Sequence, residues 1–217
     1  TGKTAKIFYS RRESFMGGNS RHGMRIQVKE GASRDGILKA MQIKALSNTG
    51  AYGEHGSTTV GLVASKTMSI YNRCQAYAFD YQVVYTNTTP AAAFRGYGAT
   101  QGCFAVESAL NLLADKLQMD PCELRLKNIA KAGEVMQASE NEILQSTHLA
   151  NCIEKGKALI DWDKKYPAQR VGPHTIRSVG MAVTMQGSGI ANIDNATVDL
   201  RLCDDAFYSL MIGATDM

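Results

Sequence analysis

The sequence has few cysteines and no Cys-x-x-Cys pair among its 217 residues. Its cysteines are widely spaced and odd in number, at positions Cys74, Cys103, Cys122, Cys152 and Cys203. Zinc sites and cysteine-ligated iron–sulfur clusters need closely spaced thiols, so we expect no metal ligands within the chain. Reduced and mostly buried thiols are expected instead, and they predict a cytoplasmic protein.

Long apolar runs and concentrated positive charge are also missing. No stretch of about 18 apolar residues occurs, so we predict no membrane span. The formal charge is only +4, and adjacent basic residues occur only at Arg11-Arg12 and Lys164-Lys165. A nucleic-acid-binding protein would concentrate its basic residues on one face. The composition, 44% hydrophobic and 20% charged, is that of a globular protein, and we expect neither nucleic acid nor membrane as a partner.

Hydrophobic periodicity predicts an α+β fold. Alternating side chains over 25–29 and 37–47, separated by a glycine-containing turn, predict a β-hairpin. Apolar residues recur at three- and four-residue spacing in the three main predicted helices, which are 101–117, 120–128 and 146–162. The second of these begins with Asp120-Pro121-x-Glu123, a typical N-terminal capping sequence.

Other segments are β-like or helical on weaker signals. Ala5–Tyr9 and 79–86 are predicted strands, and a short helix is expected after Ser57. The last part of the chain predicts a run of three strands, which are 177–186, 196–203 and 207–212.

A connector at 164–174 contains Pro167 and Pro173 and divides the chain. It separates the helical part from the C-terminal three-strand run. We therefore predict two pieces, 1–165 and 175–217, joined by this connector.

The most informative motif is Ala93-Phe94-Arg95-Gly96-Tyr97-Gly98-Ala99-Thr100-Gln101, between a predicted strand and a predicted helix. The glycines let a ligand approach the backbone, and the N–H groups at a helix start favour a polar or anionic group. The same pattern also fits a tight connection in which Arg95 is solvated. On the motif alone, both interpretations stay open.

The 93–101 motif resembles a sequence motif in the molybdenum-binding subunit of the molybdenum hydroxylases. This is the family of xanthine dehydrogenase and aldehyde oxidase. The resemblance extends over nearly the whole chain. It includes Tyr9-Ser10-Arg11-Arg12-Glu13, Arg21-His22, Ser47-Asn48-Thr49-Gly50-Ala51-Tyr52, Phe104-Ala105-Val106-Glu107-Ser108, Met119-Asp120-Pro121, and Gly213-Ala214-Thr215-Asp216-Met217.

The resemblance implies roles for residues of the central motif. Phe94, Arg95 and Gly96 would bind the molybdopterin cofactor, and Tyr97 would stack on a flat substrate. Gln186-Gly187-Ser188-Gly189 would lie near the substrate pocket. Purine-oxidising relatives carry an arginine in the region equivalent to Val60–Ser65, which this sequence lacks, so xanthine itself is disfavoured.

The same resemblance implies that the chain is a fragment. In relatives the catalytic glutamate lies far downstream and the pterin-binding glutamine follows the position of Met217, so no catalytic residue is assigned here. Residues 1–165 would be part of the molybdopterin-binding domain, and 175–217 would begin a second one that is cut off at Met217. The fragment alone is expected to be inactive.

The implied parent hydroxylates an aromatic heterocycle or an aldehyde, with water as the oxygen source. Its partners would be the remainder of the molybdenum subunit and the domains or subunits that carry FAD and iron–sulfur clusters. Two alternatives remain: a non-catalytic structural or assembly module of the same fold, and an unrelated α+β ligand-binding domain.

Overall fold

The computed structural model of the protein describes residues 2–139, 141–185, 197–205 and 207–213. The chain divides into two compact units, Thr1–Met185 and Gln186–Met217. The segment 166–185, which includes part of the predicted second piece, belongs to the first unit. The assignment of 1–165 and 175–217 to two molybdopterin-binding domains stays a prediction.

The first unit is built on a three-stranded sheet in the order β1-β2-β3. The strands are β1 (Gly23–Ala32), β2 (Leu38–Gly50) and β3 (Ala76–Tyr85). β1 and β2 form the predicted antiparallel hairpin, whose turn is closed by bonds from Ser33 Oγ and the Gly36 N–H. β3 pairs with β2 in parallel, so the chain must cross over the sheet between them.

One face of this sheet is covered by a helix from the β2–β3 crossover and by the long helix that follows β3. The crossover holds α2 (Gly56–Ser65) and a short 3-10 helix (Met68–Ile70). The other helices are α1 (Arg11–Gly17), α3 (Ala99–Leu117), α4 (Pro121–Asn128), α5 (Leu149–Leu159) and α6 (Trp162–Lys165). The mixed α+β fold and the predicted α3 and α4 are thus confirmed.

The core lies between the sheet and helices α2 and α3. Alternate residues of β2 are buried against the helices, namely Met41, Ile43, Ala45, Ser47 and Thr49. Full burial of an aliphatic side chain such as Ile43 stabilises the fold by about 2 kcal/mol. The buried stripe turns from apolar to polar at Ser47 and Thr49, near the carboxyl end of the strand.

The predicted strand at 177–186 is wrong over most of its length. β6 (Gln169–Gly172), in the predicted connector, and β7 (Thr175–Arg177), just after it, form a small hairpin. The segment 178–185 has no strand structure. The apolar alternation is nevertheless real, because Val179, Met181, Val183 and Met185 pack on the core. The backbone finds a different partner: the Val183 N–H donates to the Glu107 carboxylate at 2.8 Å. The Glu107 side chain thus accepts a backbone hydrogen bond that a neighbouring strand would otherwise accept.

Two shorter predictions also need correction. Ala5–Tyr9 is exposed and irregular, because it lies against no neighbouring strand that would complete its backbone hydrogen bonds. The helix predicted over 146–162 is broken at Asp161, whose φ of 54° is left-handed. The polar segment 133–146 holds a two-residue ladder between β4 (Val135–Met136) and β5 (Glu142–Ile143).

The second unit contains a β-hairpin of β8 (Thr197–Leu202) and β9 (Tyr208–Gly213), as predicted. Its register places six apolar side chains on one face: Val198, Leu200, Leu202, Tyr208, Leu210 and Ile212. Gln186–Gly189, Asp216 and Met217 lie outside the described residues. None of the helices in the described part of the chain is long and apolar enough to cross a membrane.

Candidate functional site

The Phe94–Gly98 loop lies at the edge of the sheet where the parallel strands β2 and β3 both end. Gly50 and Tyr85 are paired at this edge. From there the chain runs beside β2, with the Ala91 N–H donating to the Thr49 carbonyl at 3.1 Å. The carboxyl ends of parallel strands are a common ligand site in open α/β sheets.

Two glycines give the loop its shape. Gly96 and Gly98 have φ angles of 67° and 80°, a region that side-chain-bearing residues seldom adopt. Gly98 also lies against α2, since a Cβ built on it would be 2.0 Å from the Thr59 carbonyl oxygen. The loop therefore turns directly into α3 while that helix packs closely on α2.

Arg21, which lies just before β1, forms hydrogen bonds with the loop and with the start of α3. Its Nη2 donates to the Arg95 carbonyl at 2.8 Å, and its Nη1 donates to Thr100 Oγ1 at 2.7 Å. The guanidinium also lies over the Phe94 ring, 4.8 Å from the centroid, a favourable cation–π arrangement. Arg21 is brought there by Ser20, whose carbonyl accepts from the Ala92 N–H at 3.1 Å.

Gln101 completes the start of α3. Its Oε1 accepts from the Gly98 N–H at 3.0 Å, and its Nε2 donates to the His22 carbonyl at 3.1 Å. The His22 ring is buried, and burial lowers its pKa, which favours the neutral imidazole.

The predicted site residues are brought together on one short loop. Phe94 is half exposed, Arg95 is exposed and Tyr97 is partly buried. Tyr97 packs against His55 with ring centroids 6.0 Å apart and planes at 60°. The sequence alone predicts no site role for Arg21 or His55, because their contacts join distant segments.

The surroundings of the loop suit an oxygen-rich anion. Residues 81–106 include no Asp or Glu, and Arg95 is their only charged residue. The loop opens into the 19-residue helix α3, whose positive end favours negative charge. Arg21 adds a second cation at the same point. Across the described residues, no group of three His, Cys, Asp or Glu side chains could hold a metal ion directly.

Comparisons with known proteins agree with this geometry. Residues 1–129 match the family model described as "Molybdopterin cofactor-binding domain". The chain belongs to this family, and the family resemblance seen in the sequence is confirmed. Molybdopterin is therefore the cofactor class to which the domain is adapted.

Particular relatives lie among the molybdenum subunits of bacterial dehydrogenases. The chain is 36% identical to the xanthine dehydrogenase molybdenum-binding subunit of Escherichia coli O157:H7, covering all of this chain and 29% of the relative. It is 32% identical to the nicotinate dehydrogenase large molybdopterin subunit of Eubacterium barkeri, covering 76% of this chain and 39% of that one. The chain thus spans well under half of either relative.

A solved structure shares the fold. The aldehyde oxidoreductase from Desulfovibrio desulfuricans ATCC 27774 superposes with a TM-score of 0.68 at 26% identity. The match covers 88% of this chain and 21% of that enzyme. The chain therefore shares its fold with part of that larger enzyme.

Proposed function

We propose that the protein is part of the molybdenum-binding subunit of a hydroxylase that oxidises an aromatic heterocycle or an aldehyde, with water as the oxygen source. The observation that carries the proposal is the Phe94–Gly98 loop, where Arg21 and Arg95 meet at the start of α3 in a chain of the molybdopterin-binding family. Bound molybdopterin would supply the redox chemistry.

Some residues of the loop would bind the cofactor, and another would bind the substrate. The backbone of Phe94 and Gly96 and the guanidinium of Arg95 would hold the anionic cofactor, because a cation and N–H donors can together bind several oxygens. Tyr97 would orient a flat substrate by ring stacking, which contributes about 1 kcal/mol. His55, which packs on Tyr97, would limit the rotation of that ring.

The substrate class is narrowed by α2. This helix includes 60–65 and has no basic side chain, so it offers no cation to anchor a purine. We therefore favour another aromatic heterocycle or an aldehyde over xanthine. The nicotinate- and aldehyde-oxidising enzymes among the relatives support these classes.

The complete reaction would need more protein than this chain. Electrons would leave through iron–sulfur clusters and FAD on partner domains or subunits. The remainder of the molybdenum subunit would supply the general base, so the isolated chain would be inactive. All five cysteines carry free thiols, which supports a cytoplasmic location.

The test is a comparison of loop variants in the intact protein. Arg95→Ala should lower molybdenum content or turnover by about tenfold, because it removes a charge-assisted contact to the cofactor. Tyr97→Ala should keep the metal and raise KM or change the substrate preference, since stacking acts on the substrate. Molybdenum would be measured by mass spectrometry and turnover with nicotinate, quinoline and benzaldehyde.

Arg25→Ala is the matched control, because Arg25 is an exposed arginine of the same sheet on β1. It should leave both metal content and turnover unchanged. Full metal and full turnover in Arg95→Ala and Tyr97→Ala together would refute the proposed roles. An intact protein without molybdenum would instead favour the non-catalytic module.

A further inference from the structure

The Arg21 side chain, which lies outside the Phe94–Gly98 loop, fixes the orientation of the Arg95–Gly96 peptide. The Arg95 carbonyl accepts from Arg21 Nη2 at 2.8 Å. In a planar trans peptide the carbonyl and the following N–H point in opposite directions. The Gly96 N–H is therefore directed away from Arg21. At Gly96 the φ of 67° is readily adopted only by glycine, so the loop can accept this orientation without strain.

Further hydrogen bonds connect Arg21 to the start of α3. Thr100 Oγ1 accepts from Arg21 Nη1 at 2.7 Å and lies 2.8 Å from Gln101 Oε1, to which it donates. Gln101 Oε1 also accepts from the Gly98 N–H. The loop carbonyl, the loop N–H and the first turn of α3 are thus linked to one guanidinium.

The chemistry of this contact requires arginine. A planar guanidinium can donate to two acceptors in fixed directions and stack on an aromatic ring at once, whereas an ammonium group is a single point of charge. Arg21 makes both hydrogen bonds and lies 4.8 Å from the Phe94 centroid. Lysine at this position could replace the charge but could not make all three contacts.

We propose that Arg21 is a positioning residue, which turns the Arg95–Gly96 peptide so that the Gly96 N–H is presented to the cofactor. Arg21 acts through the loop and does not itself touch the cofactor. This inference rests on the proposed function. It deepens that function because it assigns the orientation of the binding loop to a residue 74 positions upstream.

The experiment compares Arg21→Lys and Arg21→Ala with Arg25→Ala in the intact protein. Hydrogen exchange, followed by mass spectrometry, reports the protection of 93–101 independently of activity. Exchange in this segment should rise by about tenfold in both Arg21 variants, because the loop loses its anchor. Exchange in 107–117 of α3 should not change, and Arg25→Ala should match the wild type throughout.

Molybdenum content and kinetics then connect the loop to the cofactor. In Arg21→Lys we expect at least about half of the wild-type molybdenum content and a turnover number lowered by about tenfold at unchanged KM, as expected when geometry and not substrate affinity is lost. The melting temperature of this variant should stay at the wild-type value, which separates positioning from misfolding.

Two results would overturn the inference. One is unchanged exchange in 93–101 in both variants. The other is raised exchange with wild-type turnover per bound molybdenum. A wild-type protein that holds no molybdenum would refute the proposed function itself, and that result is visible before any variant is made.

Discussion

Arg125 on α4 and Glu107 on α3 form a buried ion pair, with Nη2 and Oε2 2.8 Å apart. The same carboxylate accepts from Arg125 Nε, from the Tyr71 hydroxyl and from the Val183 N–H. One side chain therefore joins two helices to the segment after the 3-10 helix and to the extended segment 178–185.

Replacing Glu107 by alanine should destabilise the 217-residue chain by about 3–5 kcal/mol, because it leaves the Arg125 guanidinium buried without its counter-charge. Urea unfolding followed by circular dichroism measures this change. The matched control is Glu123→Ala, which removes the exposed pair with Lys127 on the same helix α4. It should cost less than about 1 kcal/mol. Equal losses for both variants would contradict the importance of the buried pair.

Glu30 is an acidic residue within the core-facing stripe of β1. It lies opposite Met41, and neither carboxylate oxygen bonds to another described residue. Burial and, less strongly, the negative charge of Glu107 raise its pKa to about 8, against the opposing effect of the Arg125 charge. Folded protein thus holds a proton on Glu30 that the unfolded chain releases near pH 4.5.

Because the folded pKa is the higher one, stability is lost as the pH rises from 4.5 towards 8. Glu30→Gln should remove this loss and raise the free energy of unfolding by about 4 kcal/mol at pH 8. At pH 4.5 the variant and the wild type should differ little. Urea unfolding at several pH values tests this, with Glu154→Gln on exposed α5 as the control. A pH-independent difference would show that ionisation of Glu30 is not the cause.

Asp120 connects the start of α4 to α6. Its carboxylate accepts from the N–H groups of Cys122 and Glu123 and, at 2.7 Å, from Trp162 Nε1. Burial raises the pKa of Asp120, but the hydrogen bonds from Trp162, Glu123 and Cys122 outweigh it, so that the pKa lies below 3.8. The folded state therefore favours the ionised form.

Asp120→Ala should lower the free energy of unfolding by about 1–2 kcal/mol at pH 7, since a helix cap is lost. Because the folded pKa is depressed, the stabilisation is present above pH 3.8 and is lost as the pH falls through the folded pKa. The difference from wild type should thus shrink in acid. Asp115→Ala, an exposed change on α3, serves as the control in thermal unfolding. A difference that persists unchanged in acid would argue against the carboxylate as its source.

Gly98→Ala should disrupt the contact between the loop and α2. The new Cβ would lie 2.0 Å from the Thr59 carbonyl oxygen, at a φ of 80°, and we expect a loss of about 2 kcal/mol or more. Gly61→Ala is a matched control inside α2, where a Cβ meets nothing within 4 Å. It should stabilise the helix by about 0.5–1 kcal/mol. The melting temperatures should therefore move in opposite directions, and a common direction would be the contrary result.

The elements predicted best are those with complete local signals. Asp120, Pro121 and Glu123 mark the start of α4 within a few residues, and α3 carries apolar residues at three- and four-residue spacing. The β1–β2 hairpin also follows from its own alternation and turn. In each case the information lies within one short stretch of chain.

The features that were missed depend on contacts between distant segments. The parallel pairing of β3 with β2 is not encoded in the alternation of either strand, which is the same for both directions. The segment 178–185 alternates like a strand, but its partner is the side chain of Glu107. Arg21 has no local pattern at all. The roles of Phe94, Arg95, Gly96 and Tyr97 were suggested by resemblance, and they stay predictions.

The 74-residue separation between Arg21 and Arg95 has a consequence for synthesis on the ribosome. The first hairpin can pair as soon as β2 has emerged, but the loop cannot be anchored until α3 has begun to form as well. Closing such a long stretch of chain is slow compared with making a hairpin. The binding loop is therefore assembled after the sheet that supports it, and a nascent chain that stops before Gln101 would have a folded hairpin and no site.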